Sequence, residues 1–408
     1  MVNLEAITAR TVSVDAQAGL QLNGAIQASG ASSSASPAFG RSIVLHVGAG
    51  DFVNAFGADV LTASDGWLVY SYNRSNDALT GANALLSATT DSFKQYGKFF
   101  TDTTPLAQAT GNAVVYGFTP TISVSLSGAV TKTYDGTATA SLLPSNFAVE
   151  GSLDGDTVAI APATGSYLGA GTGFGDGANA RDVGTGKLVS SPVSIAGGVQ
   201  SVYGYQLSSS MATAAIGAIT PASLVISAST DSKVYDATTA SAVAPTLTSG
   251  TLFTGDTLSS LSQAFVSKDV LGTDGSTLTV NSGFGLDDGN AGRNYSVTLL
   301  GAGGTISRRD LNLSGLTTLN KVYDATTVAP LSGTATVSGL LTDEVGVSGT
   351  AVGAFGDKGV GVAKTVSVSG LALSGADAGN YNLVLPSGLT GTIEKANATV
   401  TANSGSST

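Results

Sequence analysis

Short alternating runs of apolar and polar residues dominate this chain. ISVSL, SLVISAS, TVSVSGLAL and YSVTLL alternate or run apolar over strand-length windows, bounded by Gly, Asn and Asp clusters. No stretch carries a convincing amphipathic helical period, so the pattern predicts an all-β fold. Upstream, ITARTVSVDAQAGLQLNGAIQASGA and SIVLHVGAGDFVNAFGADVLTASDGWLVYSYN break short strands with Gly and Asn roughly every 20 residues. That rhythm predicts parallel β-helix coils, each strand stacking on the next coil while Gly and Asn turn the corners. After Trp67 it gives way to FKQYGKFF and GNAVVYGF, the richest aromatic stretch, suited to covering the apolar end of a solenoid.

Internal repetition organises the remainder. KTYDGTATA starts at Lys132, KVYDATTAS at Lys233 and KVYDATTVA at Lys321. An acidic turn follows each, GDTV at Gly155, GDTL at Gly255 and TDEV at Thr342. An aromatic block comes next, YGYQL at Tyr203, GRNYSVTL at Gly292 and GNYNLVL at Gly379. Each unit closes on a Gly-x-Ile strand ending at Ile219, Ile306 or Ile393. Anchors recurring in one order at a period of about 90 residues predict tandem two-sheet domains. The expected organisation is terminal β-helix coils over 1–71, a cap and linker over 72–120, and repeats over 121–221, 222–311 and 312–395. Residues 396–408 form a tail that starts a further segment. The expected fold is therefore the end of a right-handed parallel β-helix with an aromatic cap, followed by three tandem Ig-like β-sandwich repeats.

Composition narrows the chemistry. Cys is absent, which removes disulfides, thiolate nucleophiles and Cys-ligated metals, and the single His, His46, removes multi-histidine metal motifs. Only 11% of residues are charged, and the net charge of −11 repels phosphate backbones, so no nucleic-acid partner is expected. No run approaches the ~20 apolar residues of a membrane span. The opening, Met1 to Arg10, has no apolar signal-peptide core, so the chain reads as a fragment of something longer.

The block AGDFVNAFGADVL…GWLVYSYN…FKQYGKFF…TPLAQATGNAVVYGF, followed by tandem KxYDGTxxA units, resembles the C-terminal part of filamentous-haemagglutinin-like exoproteins of two-partner secretion systems. In that family such a block closes a long secreted β-helix and YDG repeats follow it. The resemblance implies an adhesin on the cell surface of, or secreted from, a Gram-negative bacterium, exported with an outer-membrane transporter partner. Two departures stand out: Ala237 and Ala325 replace the namesake Gly, and the first repeat has Tyr203-Gly204-Tyr205 in place of an Asn-Tyr pair.

The structural motif residues are Trp67 at the last regular coil, Tyr134, Asp135, Tyr235, Asp236, Tyr323 and Asp324 in the motif, and Asn294, Tyr295, Asn380 and Tyr381 in the aromatic block. Each motif tyrosine is expected to bury its ring, and each aspartate to fold the following turn by accepting backbone N–H groups. Asn294 and Asn380 are expected to supply a left-handed turn before a core tyrosine. A sugar site built on the motif is the weaker reading. Asp154 with Asp156, Asp176 with Asp182, and Asp287-Asp288-Gly289-Asn290 invite calcium but match no calcium-loop spacing, so no metal and no cofactor are expected. GAGTGFGDG at Gly169 mimics a dinucleotide fingerprint without a helix to follow it. A sharper but weaker idea is a Lys–Asn isopeptide between Lys132, Lys233 or Lys321 and Asn294 or Asn380. His46, inside an apolar strand, is expected to be structural.

No enzymatic activity is expected. The anticipated role is stalk and repeat-array binding or spacing, with a host-cell or neighbouring-cell surface receptor or glycan as partner. The alternatives are a polysaccharide-binding or polysaccharide-processing β-helix protein, marked by a cleft of carboxylates or exposed aromatics, and a filament or matrix subunit.

Overall fold

A computed structural model describes residues 1–30, 40–72, 85–86, 92–161, 163–169, 179–197, 201–402 and 405. Part of the expected cap, Asp176 and most of the GAGTGFGDG stretch lie outside the described residues. The fold is all-β, with short 3-10 turns as its named helical elements. No helix among the described residues is long and apolar enough to cross a membrane. Met1–Pro221 and Ala222–Thr408 form two compact units.

In the first unit the amino-terminal strands stack in parallel, in register. Val2 pairs with Leu20 and Leu20 with Phe52; Ile7 pairs with Ile26 and Ile26 with Leu61. A third stack runs from Val12–Ala16 through Ile43–Val47 and Trp67–Ser71 to Asn112–Tyr116, then Ser92–Tyr96, then Val202–Tyr203. Register makes ladders: Val14, Leu45, Val69 and Val114 are consecutive partners along it. Leu20, Leu22, Ile26, Leu45, Val69 and Val114 are fully buried. Each such aliphatic side chain contributes about 1.5–3 kcal/mol of burial. The later strand Asn112–Tyr116 sits inside the stack and the earlier Ser92–Tyr96 outside it, so the chain overshoots by one layer and returns.

The next ladder position beyond Val114 is Lys94, and beyond it Val202. A lysine thus stands in the ladder between two buried valines, in the strand from which the parallel stack passes to a strand of the first repeat. Tyr96 and Tyr116 stack at 5.2 Å, and Phe118 and Tyr205 close on Tyr96 at 5.3 and 5.0 Å. Four aromatic rings therefore cover this end, and one of them belongs to the first repeat.

All three repeats share one strand plan. The opening strand is the middle of a three-stranded sheet, parallel to the strand of the aromatic block and antiparallel to another: Thr121–Leu126, Ala222–Ser227 and Arg309–Thr318. The motif strand lies parallel to the closing Gly-x-Ile strand in a second sheet, pairing Lys132 with Ile219, Lys233 with Ile306 and Lys321 with Ile393. The period in the sequence is therefore a period of pairings.

Two departures from the repeat consensus acquire a physical reason. Gly136, Ala237 and Ala325 all have positive φ, 75°, 66° and 68°, so the motif turn is left-handed in every copy and alanine occupies it at a cost. Gly204 has φ +87°, and a Cβ there would lie 2.1 Å from the Tyr96 carbonyl oxygen. The first repeat lacks an asparagine here because its backbone runs against the coil stack.

Two substitutions test this reading. Ala237→Gly should stabilise by about 0.5–1 kcal/mol, the reverse of the usual effect of glycine in an ordered segment. Gly204→Ala should destabilise the first unit by about 1–3 kcal/mol from backbone strain alone. Urea titration of each variant against the parent chain measures both.

Candidate functional site

The motif K-x-Y-D-(G/A)-T builds the same small clamp three times. Asp135, Asp236 and Asp324 each accept the backbone N–H two residues on, from Thr137, Thr238 and Thr326, at 2.9 Å. The lysine three residues upstream donates to the same oxygen, at 2.7 Å from Lys132, 2.9 Å from Lys233 and 2.8 Å from Lys321. It also donates to the threonine carbonyl, at 2.6, 2.7 and 2.9 Å. Its ammonium lies over an aromatic ring of the same repeat, Tyr167, Phe265 or Phe355. The expected aspartate turn is present, and the lysine adds a second fastening. The Lys321 ammonium, with the Thr326 donors, holds the Asp324 carboxyl down at about 2.

This clamp fixes where the motif tyrosine points, and that decides the larger site. Tyr235 is fully buried and donates its hydroxyl to Asp343 Oδ2 of the third repeat at 2.8 Å. Tyr381 donates to the same oxygen at 2.6 Å, and the two rings meet edge to face at 5.3 Å. Lys268, from the second repeat, donates to the Tyr235 hydroxyl at 2.8 Å, to Asp343 Oδ1 at 3.3 Å and to Asp377 Oδ1 at 3.0 Å. Asn380 completes the junction, accepting the Val270 N–H at 2.8 Å and donating to Asp269 at 3.1 Å. One nearly buried carboxylate thus gathers two phenols and an ammonium from two repeats.

The first unit holds the same arrangement between the coil stack and the first repeat. Asp156 Oδ2 accepts from Tyr96 at 2.7 Å and from Tyr205 at 2.8 Å, while Lys94 donates to Oδ1 at 2.5 Å. Tyr96 and Lys94 come from the stack, Tyr205 and Asp156 from the repeat. Within the second repeat, Tyr295 donates to Asp256 at 2.7 Å. The hydroxyls of Tyr205 and Tyr295 also accept an N–H from the acidic turn, of Leu153 at 2.8 Å and Phe253 at 2.9 Å. A buried phenol with both capacities met costs little to bury and orients the turn.

Electrostatics follow from this geometry. Burial, then the bond to Asp343, pushes the Tyr381 phenol up to about 12; burial likewise takes Tyr205 and Tyr295 to about 12. Burial alone would raise the Asp343 carboxyl, but bonds from Tyr381, Tyr235 and Lys268 outweigh it and hold the carboxyl below its usual range. Lys268 is held above the ordinary lysine range by its bonds to Tyr235 and Asp377.

Placement of the sequence-predicted residues is mixed. Trp67, Tyr134, Tyr235, Tyr295 and Tyr381 are buried, as expected. Tyr323 is not. It is 37% exposed against 0% for Tyr235, whose ring meets Tyr381 of the third repeat edge to face. Asn294 and Asn380 are buried but have no positive φ, so the expected left-handed turn is wrong for both. They serve as hydrogen-bonding posts instead: the Asn294 N–H donates to Asp288 at 2.8 Å, and Asn380 bridges the repeats. The left-handed residues before Asn294 are Ala291 and Gly292. The lysines of the motif, Lys132, Lys233 and Lys321, pair with the motif aspartates.

Asp156, Asp343, Lys94 and Lys268 carry the junctions and were not singled out as a set from the sequence. The available signal was the acidic turn recurring with the aromatic block at one period. Asp156 and Asp288, weighed as calcium ligands, spend their oxygens on protein donors, the latter on the N–H groups of Asn290, Gly292 and Asn294. His46 and Asp15 are register partners on adjacent coils, joined at 2.7 Å, with the imidazole stacked on Phe100 at 4.4 Å.

Against known families, residues 220–302 and 307–403 match the profile of the YDG domain. These two matches support a YDG-repeat protein. No curated protein matches the chain.

Phenylalanine substitutions separate the three chemically identical tyrosines. Tyr235→Phe and Tyr381→Phe should each cost about 1.5–3 kcal/mol, the worth of a bond to a charged acceptor. Tyr323→Phe should fall within about ±0.5 kcal/mol, the range of surface changes. Alkaline titration followed at 295 nm gives a further check. The phenols of Tyr205, Tyr295 and Tyr381 have folded values above the unfolded value near 10, so the stability they lend is complete below about pH 10. It is lost as pH rises through about 12. Absorbance should therefore resolve a late tyrosine class whose ionisation coincides with loss of β-sheet circular dichroism.

Proposed function

We infer that this chain is the stalk and repeat-array region of a bacterial secreted or surface-exposed adhesin and acts without catalysis. The coil stack is read as the end of a parallel β-helix, and the repeats as Ig-like sandwiches set on it. The likeness to filamentous-haemagglutinin-like exoproteins supports export through an outer-membrane transporter by two-partner secretion. One observation carries the reading: the same tyrosine–aspartate–lysine knot fastens the first repeat to the coils and the third repeat to the second. A fastening repeated at two junctions suits a part whose task is reach and orientation, because a stiff array presents contacts in fixed geometry and multiplies weak ones.

A second reading, glycan binding by the coils themselves, rests on a separate feature. A cleft lined by His46, Tyr70, Lys98 and Phe100 is flanked by Tyr72 and Phe99, which are 60% and 48% exposed. Exposed rings beside polar groups are the chemistry that grips sugar faces.

The experiment is adhesion of the intact chain, displayed on beads, to host cells and to a glycan array. Clustered display should raise apparent affinity by about 10²–10⁴ over the free chain. Loss of glycan binding in Tyr72→Ala/Phe99→Ala would assign recognition to the coil cleft. Release of new reducing ends from polysaccharide substrates would overturn the non-catalytic reading.

A further inference from the structure

The third repeat carries the donor half of the knot with no acceptor half on it. Aligning the repeats by their buried ring, Phe265 and Phe355, sets Lys358 opposite Lys268 and Val360 opposite Val270. The motif sets Tyr323 opposite Tyr235 in the same way. At the junction of the second and third repeats, Tyr235, Lys268 and the Val270 N–H meet Asp343, Asp377, Tyr381 and Asn380. Their counterparts are partly open: Tyr323 is 37% exposed, Val360 48%, and Lys358 has no ion-pair partner among the described residues.

Residues 396–401 show the complementary feature. The opening strands of the second and third repeats begin two residues after the preceding closing strand ends, at Ala222 after Thr220 and at Arg309 after Ser307. Thr390–Glu394 is the third closing strand, so the same step falls on Ala396. From there Ala396, Ala398 and Val400 occupy the alternate positions held by Ala222, Leu224 and Ile226, and by Arg309, Leu311 and Leu313. Leu224, Ile226 and Leu311 are fully buried, whereas Val400 is 88% exposed. This is an opening-strand pattern without a sheet to enter.

The geometry points to a docking face, formed by Tyr323, Lys358 and Val360, that receives the acidic-turn end of a further YDG-type repeat entered through the 396–401 segment. The occupant is defined by its chemistry: a nearly buried aspartate beside a tyrosine, with an asparagine placed to accept the Val360 N–H. A second copy of this chain fits less well, because its Asp156 and Asp343 are already taken by Tyr96 and Tyr235. The inference is independent of whether the array binds a receptor or only spaces one.

The test continues the chain directly after Lys395 with a second copy of residues 309–395, which preserves the spacing, its own counterpart of Tyr323 changed to phenylalanine so that the nitrated peptide is unique. Tyrosine nitration read by peptide mass spectrometry reports the face, with exposed Tyr72 as internal control. In the unextended chain Tyr323 should be nitrated freely. In the extended chain it should react at least about tenfold more slowly, as a site reached only by local opening does. Aspartate-to-asparagine substitution at the appended counterpart of Asp343 should restore most of the reactivity. Unchanged nitration of Tyr323 beside a folded appended repeat would overturn the inference. An appended copy that stays unfolded would overturn it too, since the same residues fold where the second repeat supplies this face. Protection of Tyr323 that rises with concentration in the unextended chain would reassign the face to self-association.

Discussion

A carboxylate taken out of water must be met by donors, and that requirement organises this protein. Asp156 and Asp343 sit in acidic turns at the leading end of their repeats, each almost fully removed from solvent. Left alone, such a group would cost several kcal/mol or take up a proton. Each is met by two phenols and an ammonium, and in both cases one phenol and the ammonium come from the preceding element. The carboxylate is therefore satisfied only when its repeat is seated on what comes before it.

The strand plan positions these groups. The opening strand runs parallel to the strand of the aromatic block, which sets Tyr295 against Ala222 and Tyr381 against Arg309. The parallel pairing of motif and closing strands carries the motif tyrosine to the opposite end of the repeat. The second repeat thus sends Tyr235 forward to the third and keeps Tyr295 beside its own acid. At the parallel stack the same task falls to Tyr96 and Lys94, which occupy the ladder positions beside Tyr116 and Val114. The stack ends and the array begins on the same side chains.

Much of this was legible in the sequence. Periodicity marked the all-β strands and the YDG repeats, because burial on one face leaves a residue-by-residue trace. The motif aspartates were readable as turn formers, since Asp135, Asp236 and Asp324 act within two residues of themselves. The knot was not readable, since Tyr235 and Asp343 lie far apart in sequence and belong to different repeats. Tyr323 shows the limit most plainly: its motif matches that of Tyr235, and only the neighbouring repeat distinguishes a buried ring from an exposed one. The asparagines mislead for a related reason, because a preference for left-handed turns is local and their bonds to Asp288 and across to Val270 are not.

If the knot couples neighbours, the second and third repeats should open together. Hydrogen exchange across increasing urea, read separately on the Ser276–Val280 and Gly361–Ser374 strands, measures this directly. The account predicts one shared opening in the parent chain and two separate openings, with the third repeat surviving alone, in Asp343→Ala. Two separate openings already present in the parent chain, unchanged by Asp343→Ala, would contradict it.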